Sequence, residues 1–172
     1  MKRPALSIAL ALGATLVMTV TAAASSTYIY TDSIHGTELP NATPTEGQFV
    51  GEATGSLAGA WYIDVTHQAL PNNTKSVAIT GGHFRLNTVI NYVPEEILGS
   101  FKGGSVSQID GFGRGCPNQH YSVHGELSNV GVDWGTGSGM FDAKLTHYRV
   151  NLWWVGCVIY SASVSGTVSL TL

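Results

Sequence analysis

Apolar and polar residues alternate along most of this chain, with a period of two from Gln48 onward. In residues 61–66, Trp, Ile and Val alternate with Tyr, Asp and Thr, and residues 120–127 and 141–145 repeat the rhythm. Alternation of this kind predicts antiparallel strands that each bury one face and expose the other. The last strand is the most regular, and its predicted inward residues are Val158, Tyr160, Ala162, Val164, Val168 and Leu170.

Glycine, proline and asparagine interrupt the alternation and divide the chain into about eight strands. This pattern predicts an all-β fold, a single-domain antiparallel β-barrel, with a two-sheet β-sandwich as the alternative. The barrel is favoured because closure removes the exposed strand edges that Ser- and Thr-rich strands would otherwise present. The only helical candidate is segment 93–98, and the sequence allows it one turn at most.

The first 24 residues have the pattern of a secretory signal peptide. Lys2 and Arg3 precede an apolar run, and small residues lead to a predicted cleavage after Ala24. A retained membrane anchor is the alternative, although no basic stop-transfer cluster follows the run. The expected location is therefore extracellular or in the cell envelope, with no stable membrane insertion after cleavage.

The breaks in the pattern also divide the mature chain. Residues 25–47 contain several glycines and prolines, and they predict a flexible lead-in that could include an edge strand at Tyr28 and Tyr30. The all-β domain is expected at residues 48–172, which is long enough for one hydrophobic core.

The charge balance is mildly acidic. The chain carries 8 Lys and Arg against 11 Asp and Glu, a formal net charge of -3, and Lys2 and Arg3 fall in the predicted signal peptide. No basic stripe is present, which argues against nucleic-acid binding and against electrostatic attachment to anionic lipid.

Cys116 and Cys157 are the only cysteines. In an oxidising compartment they predict one disulfide, which would tie the glycine-rich segment 111–115 to the start of the final strand. A free thiol or a metal ligand is the alternative. The chain has no CxxC pair, however, and Cys116 has no adjacent general base.

The standard catalytic and cofactor motifs are missing. The sequence contains no GxSxG, HExxH or GxxxxGK[ST] motif. The glycine-rich segments 111–115 and 135–139 are not followed by a predicted helix, so they predict loops rather than phosphate cradles. We therefore expect no cofactor and no metal, and a binding module rather than an enzyme.

Two histidines fall on predicted inward faces. His67 continues the inward face of its strand and His147 does the same, within two similar segments, 55–67 and 135–147. A histidine pair at a barrel mouth could bind a ligand or act in acid–base chemistry, and structural hydrogen bonds that cap the core are the alternative. Whether the two segments are duplicated hairpins or similar by chance stays open.

Three tryptophans are candidates for binding. Trp153 and Trp154 lie between two strand-like runs, and adjacent strand residues point to opposite faces, so one ring is expected outside. Trp134 lies in another predicted loop. Such rings can stack on a sugar or insert into an interface, or they can cover the disulfide and close the core.

The leading hypothesis is a secreted, non-enzymatic module that binds a glycan, a small apolar ligand or an envelope protein through an aromatic loop end. One alternative is a small barrel enzyme with an interior site near His67 and His147. Another is a secreted inhibitor or structural partner that acts through loop 111–118. The candidate binding residues are Trp134, Trp153, Trp154, His67 and His147.

Overall fold

The computed structural model describes residues 27–40, 43, 45–69, 76–112 and 115–172. The predicted signal peptide at 1–24 lies outside these described residues. The described part contains eight strands, namely β1 Ile29–Glu38, β2 Glu46–Thr54, β3 Gly59–His67, β4 Ser76–Ile90, β5 Val93–Asp110, β6 Gln119–Val132, β7 Gly137–Leu152 and β8 Gly156–Thr171. No described segment forms a helix that is long and apolar enough to cross a membrane.

The strands form one closed barrel in which each strand pairs antiparallel with the next. β8 returns to pair with β1, so that Ser33 has Thr54 of β2 on one side and Thr167 of β8 on the other. The predicted barrel is confirmed, and the sandwich alternative is wrong. Closure satisfies the main-chain donors and acceptors that an open sheet would leave at its edges.

The expected lead-in supplies a full barrel strand. β1 is not an edge strand, because it pairs with β2 and β8 at once. Its side chains alternate between solvent and interior, and Ile34 is fully buried. The polar residues Asp32 and Glu38 occupy interior-facing positions of β1 and hide the alternation in the sequence.

Segment 93–98, to which the sequence allowed one helical turn at most, is extended, since β5 begins at Val93. Asn91 and Tyr92 form a two-residue hairpin turn in which both φ angles are positive, at 51° and 67°. Turns of this geometry match the twist of the strands they connect. The turn places Val93 opposite Ile90, so the segment pairs with β4 as a strand.

Large rings fill the middle of the barrel where glycines face them. A Cβ atom added at Gly36 or Gly51 would lie 2.6 or 2.7 Å from the Trp61 ring. A Cβ atom added at Gly125 would lie 2.3 Å from the Phe101 ring. Because real side chains cannot approach so closely, these glycines make room for the two aromatic residues that close the barrel's centre.

The two ends of the barrel differ. At the closed end, residues 55–58, 91–92 and 133–136 make short turns between strands. Leu57 inserts from the first of these turns and is 2% exposed, and its amide donates to Oδ1 of the buried Asp32 at 3.1 Å. The other strand-to-strand connections leave from and return to the open end, where β1, β3, β5 and β7 end and β2, β4, β6 and β8 begin.

Near the open end, a β-bulge changes which side chains of β8 point into the barrel. The register shifts between Tyr148 and Arg149 of β7, which pair with Ser161 and Ile159 and leave Tyr160 as the extra residue. Tyr160 is 66% exposed, so its predicted inward position is wrong. A bulge inserts one residue and reverses the alternation beyond it, which is why Ile159 instead reaches the barrel mouth.

Candidate functional site

A cavity of about 410 Å³ opens at the open end of the barrel. Its walls are largely apolar, and its polar groups gather toward the mouth. The lining residues are Glu38, Thr43, Glu46, Gly47, Phe49, Val65, His67, Val106, Gln119, Tyr121, Val123, Leu145, His147 and Ile159. A smaller void of about 20 Å³ shares Phe49, Val65, Val123 and Leu145 and extends toward the barrel centre.

Side-chain size explains why the cavity lies at this end. At this level the interior positions hold Gly47 and the three valines Val65, Val106 and Val123. An eight-stranded barrel has an interior that side chains can just fill or that can hold one small ligand. The Phe49 ring takes the place beside Gly47, but the three valines are too small to fill the interior on their sides, so a ligand-sized space lies above the Trp61 layer.

A polar cluster of Glu38, Tyr121 and His147 lies in the wall of the cavity. Nε2 of His147 is 2.8 Å from Oε2 of Glu38, and these side chains are only 15% and 13% exposed. The rings of Tyr121 and His147 are 5.2 Å apart. Nδ1 of His147 is buried and has no hydrogen-bond partner among the described residues.

The environment of Tyr121 keeps its hydroxyl neutral. Burial raises the pKa of Tyr121 above its usual value, the nearby Arg149 guanidinium lowers it, and Glu38 raises it further. Burial dominates, because removing water disfavours the charged phenolate. At neutral pH the side chain therefore offers one O–H donor and its oxygen as an acceptor.

The histidines predicted to face inward, His67 and His147, both line the cavity. His67 ends β3 and His147 lies within β7, and these strands are four apart around an eight-stranded barrel and therefore on opposite sides. Nδ1 of His67 is 2.8 Å from the carbonyl oxygen of Gln68. The structure thus brings the two histidines to one rim, each with a hydrogen bond that fixes its ring.

Glu38, Gln119 and Glu46 were not among the residues singled out from the sequence. Tyr121 was predicted to face inward but not to take part in binding. Glu38 and Glu46 sit on either side of a connection that contains two prolines, Pro40 and Pro44, where the sequence shows no period. The only available signal was the position of each at the end of a strand.

The tryptophan candidates do not join the cavity. Trp153 and Trp154 lie in the β7–β8 turn at the open end, 88% and 67% exposed, with ring centroids 5.0 Å apart. The expectation of opposite strand faces fails because these residues form a turn, and both rings project. Trp134 lies at the closed end, where its ring is 6.1 Å from that of His83.

The predicted disulfide between Cys116 and Cys157 is confirmed, with Cα atoms 5.6 Å apart. It joins the β5–β6 connection to the start of β8, close to the turn that carries Trp153 and Trp154. A cross-link at this point restricts the projecting hairpin, which extends past the last residues that pair with β1 and β6. The turn therefore has a fixed base.

The other histidine–carboxylate contacts lie on the outer face of the barrel. Nδ1 of His124 is 2.6 Å from Oδ1 of Asp142, and Nδ1 of His83 is 3.1 Å from Oδ2 of Asp64. His120 contacts Asp110 in the same way. These pairs form a polar surface, so neither Asp64 nor Asp142 can assist an interior site.

Across the described residues, no group of three or more His, Cys, Asp or Glu side chains is placed to hold a metal ion. No protein-family model, curated protein or solved structure matches this chain.

Proposed function

We propose that this protein is a binding module that takes up a small, largely apolar molecule in the open end of its barrel. One observation carries the proposal: a cavity of about 410 Å³ has apolar walls and a few polar groups converging at its mouth. Binding cavities for small molecules measure about 300–1,000 Å³ and have this distribution of groups. The walls supply affinity by removing apolar ligand surface from water.

We propose further that the protein works outside the cytoplasm. The predicted signal peptide supports this location, and a disulfide is compatible with it because such bonds persist in oxidising compartments. A carrier in such a place keeps an apolar molecule dissolved.

The proposal is tested by narrowing the cavity. Val123→Phe puts a ring into the cavity, whereas Ser122→Phe adds the same ring on the outer face of the same strand. Binding of a neutral, apolar fluorescent probe is measured by titration, with circular dichroism as the check on folding. We expect Val123→Phe to weaken binding at least tenfold and Ser122→Phe to leave it within about twofold, since tenfold corresponds to about 1.4 kcal/mol.

Equal affinity in a folded Val123→Phe protein would overturn the proposal, as would the absence of any probe binding to the unmodified protein. Should Val123→Phe fail to fold, Val106→Leu narrows the same cavity by a single methylene group and is expected to weaken binding by a smaller factor.

A second candidate function is glycan binding by the Trp153–Trp154 pair. The specific observation is that both rings project from a turn whose base the disulfide fixes. Exposed indole rings stack on the apolar faces of sugars. Trp153→Ala and Trp154→Ala should each abolish retention on a polysaccharide column, with Trp134→Ala at the closed end as the control. Unchanged retention in both variants would rule this function out.

A further inference from the structure

The charged and polar groups in the cavity wall favour hydrogen-bond acceptors. Among the described lining residues there are two carboxylates, Glu38 and Glu46, and neither lysine nor arginine. Arg149 interacts electrostatically with Tyr121 but does not line the cavity. With neutral imidazoles, the described lining therefore carries negative charge.

The two imidazoles add further acceptors. The carboxylate of Glu38 and the carbonyl of Gln68 can only accept hydrogen bonds, so Nε2 of His147 and Nδ1 of His67 must carry the hydrogen in these contacts. In a neutral ring the other nitrogen then holds a lone pair. His67 can thus accept from a ligand through Nε2, whereas the unpartnered Nδ1 of His147 is buried beneath the cavity surface.

The hydroxyl of Tyr121 is the second, independent observation. This side chain is 7% exposed and lines the cavity, and its hydroxyl has no hydrogen-bond partner among the described residues. The hydroxyl oxygen itself is not fully buried, so it is open to the cavity, where water or a ligand atom can bond to it. A polar ligand atom beside Tyr121 would supply that bond.

We infer that the ligand of this cavity carries an amine head group on an apolar body, and that a carboxylate head group is rejected. The inference rests on the proposed function. An ammonium group donates hydrogen bonds and accepts none, which suits the carboxylate of Glu38 and the oxygen of Tyr121, both of which lie beside His147. A ligand carboxylate would instead meet Glu38 and Glu46 as like charges in a poorly hydrated site, where repulsion is stronger than in water.

The test compares three ligands with one apolar body and different heads: 1-octylamine, 1-octanol and octanoate. Each displaces the neutral fluorescent probe at pH 8, where free imidazole is neutral and a primary amine is charged. We expect octylamine to bind at least tenfold more tightly than octanoate, with octanol between them. Octanoate binding as tightly as octylamine, or more tightly, would overturn the inference and leave the proposed function standing.

Failure of all three ligands and the probe to bind would overturn the proposed function and the inference together. A chain of net charge -3 also attracts amines without a site, so variants must separate the two causes. Glu38→Gln removes a carboxylate from the cavity wall, and Glu52→Gln makes the same change at an exposed position on β2.

We expect Glu38→Gln to weaken octylamine binding about tenfold and to leave the affinity for octanol within about twofold. Retained octanol binding also shows that the cavity is intact. Glu52→Gln should change neither affinity. Equal losses in the two variants would assign the preference to overall charge and overturn the inference. If Glu38→Gln no longer binds octanol, Glu46→Gln replaces it, because the exposed Glu46 lines the same mouth and has no ion-pair partner among the described residues.

Discussion

The closed end and the open end of the barrel are built from the same eight strands and the same alternation, yet only one of them is packed solid. At the closed end Ile34, Leu127 and Leu170 are fully buried and Leu57 adds a plug from a turn. At the open end three valines are among the residues that line a cavity of about 410 Å³. The difference lies in side-chain volume and in the connections, not in the strands.

The polar residues follow the same division. The closed end has one buried carboxylate, Asp32, whose Oδ1 accepts a hydrogen bond from a backbone amide and whose Oδ2 has no partner among the described residues but borders none of the cavities described above. The open end has Glu38, Tyr121 and His147, whose hydrogen-bonding capacity is only partly used by the protein. Polar groups that leave capacity unused beside a cavity are the ones available to a ligand, which locates the site at the open end.

The largest expected effect comes from deleting the same side chain at each end. Leu127→Ala at the closed end should lower the free energy of unfolding by about 2–5 kcal/mol, because its neighbours pack against it on all sides. Leu145→Ala at the open end should cost about 1 kcal/mol less, since Leu145 already borders a cavity and loses fewer contacts. Urea denaturation measures both.

Equal losses of unfolding free energy for the two leucine variants would contradict the comparison and would mean that the open end is as tightly packed as the closed end.

Adding a cavity ligand to the same denaturation experiment tests the open end directly. Saturation with a cavity ligand should raise the unfolding midpoint of the unmodified protein and of Leu127→Ala alike, because a ligand that binds only the folded state stabilises it by mass action.

A smaller effect is expected from the buried carboxylate that holds the closed end. Asp32→Ala leaves the buried amide of Leu57 without an acceptor and should cost about 1–3 kcal/mol of unfolding free energy. Asp32→Asn retains a side-chain oxygen at that place and should cost less. The same denaturation assay compares them, and identical losses would show that the hydrogen bond does not hold the turn.

Alternation predicted the strands, the all-β class and several residues of the cavity, because burial of one face is a local property of the sequence. It put His67, His147 and Tyr121 on inward faces, and the structure places all three in the cavity wall. Alternation could not show whether the sheet closes into a barrel. It depends on β8 meeting β1, at opposite ends of the described chain, and no local pattern reports that contact.

The errors have equally specific causes. Tyr160 was predicted to face the interior because the single extra residue in β8 cannot be recognised from the sequence. That residue exchanges the inward and outward side-chain positions beyond the bulge. The turn at Asn91 and Tyr92 lacks the usual glycine at its second position, so the β5 start went unrecognised. Glu38 was missed because a carboxylate at an inward strand position breaks the very pattern used to find such positions.

The smallest expected effect concerns the hydration of the open end and depends on pH. Burial raises the pKa of Tyr121 in the folded protein, whereas an unfolded tyrosine titrates near pH 10, at about its ordinary value. Between these two pKa values the unfolded chain has released a proton that the folded chain retains. The contribution of the Tyr121 hydroxyl to the free energy of unfolding is therefore complete below about pH 10 and is lost as pH rises through the folded pKa.

Tyr121→Phe removes the titrating hydroxyl and with it the loss of stability at high pH. Its control is Tyr92→Phe, at a 99% exposed position in a closed-end turn. Urea midpoints at pH 7 and pH 11 should therefore differ less in Tyr121→Phe than in the unmodified protein, while Tyr92→Phe follows the unmodified protein. If Tyr121→Phe loses as much stability as Tyr92→Phe on going to pH 11, the Tyr121 phenol is as well hydrated as a surface one. The open end would then be a water-filled mouth, too polar to hold the apolar body of a ligand, and the contrast with the closed end would lie in hydration rather than in binding.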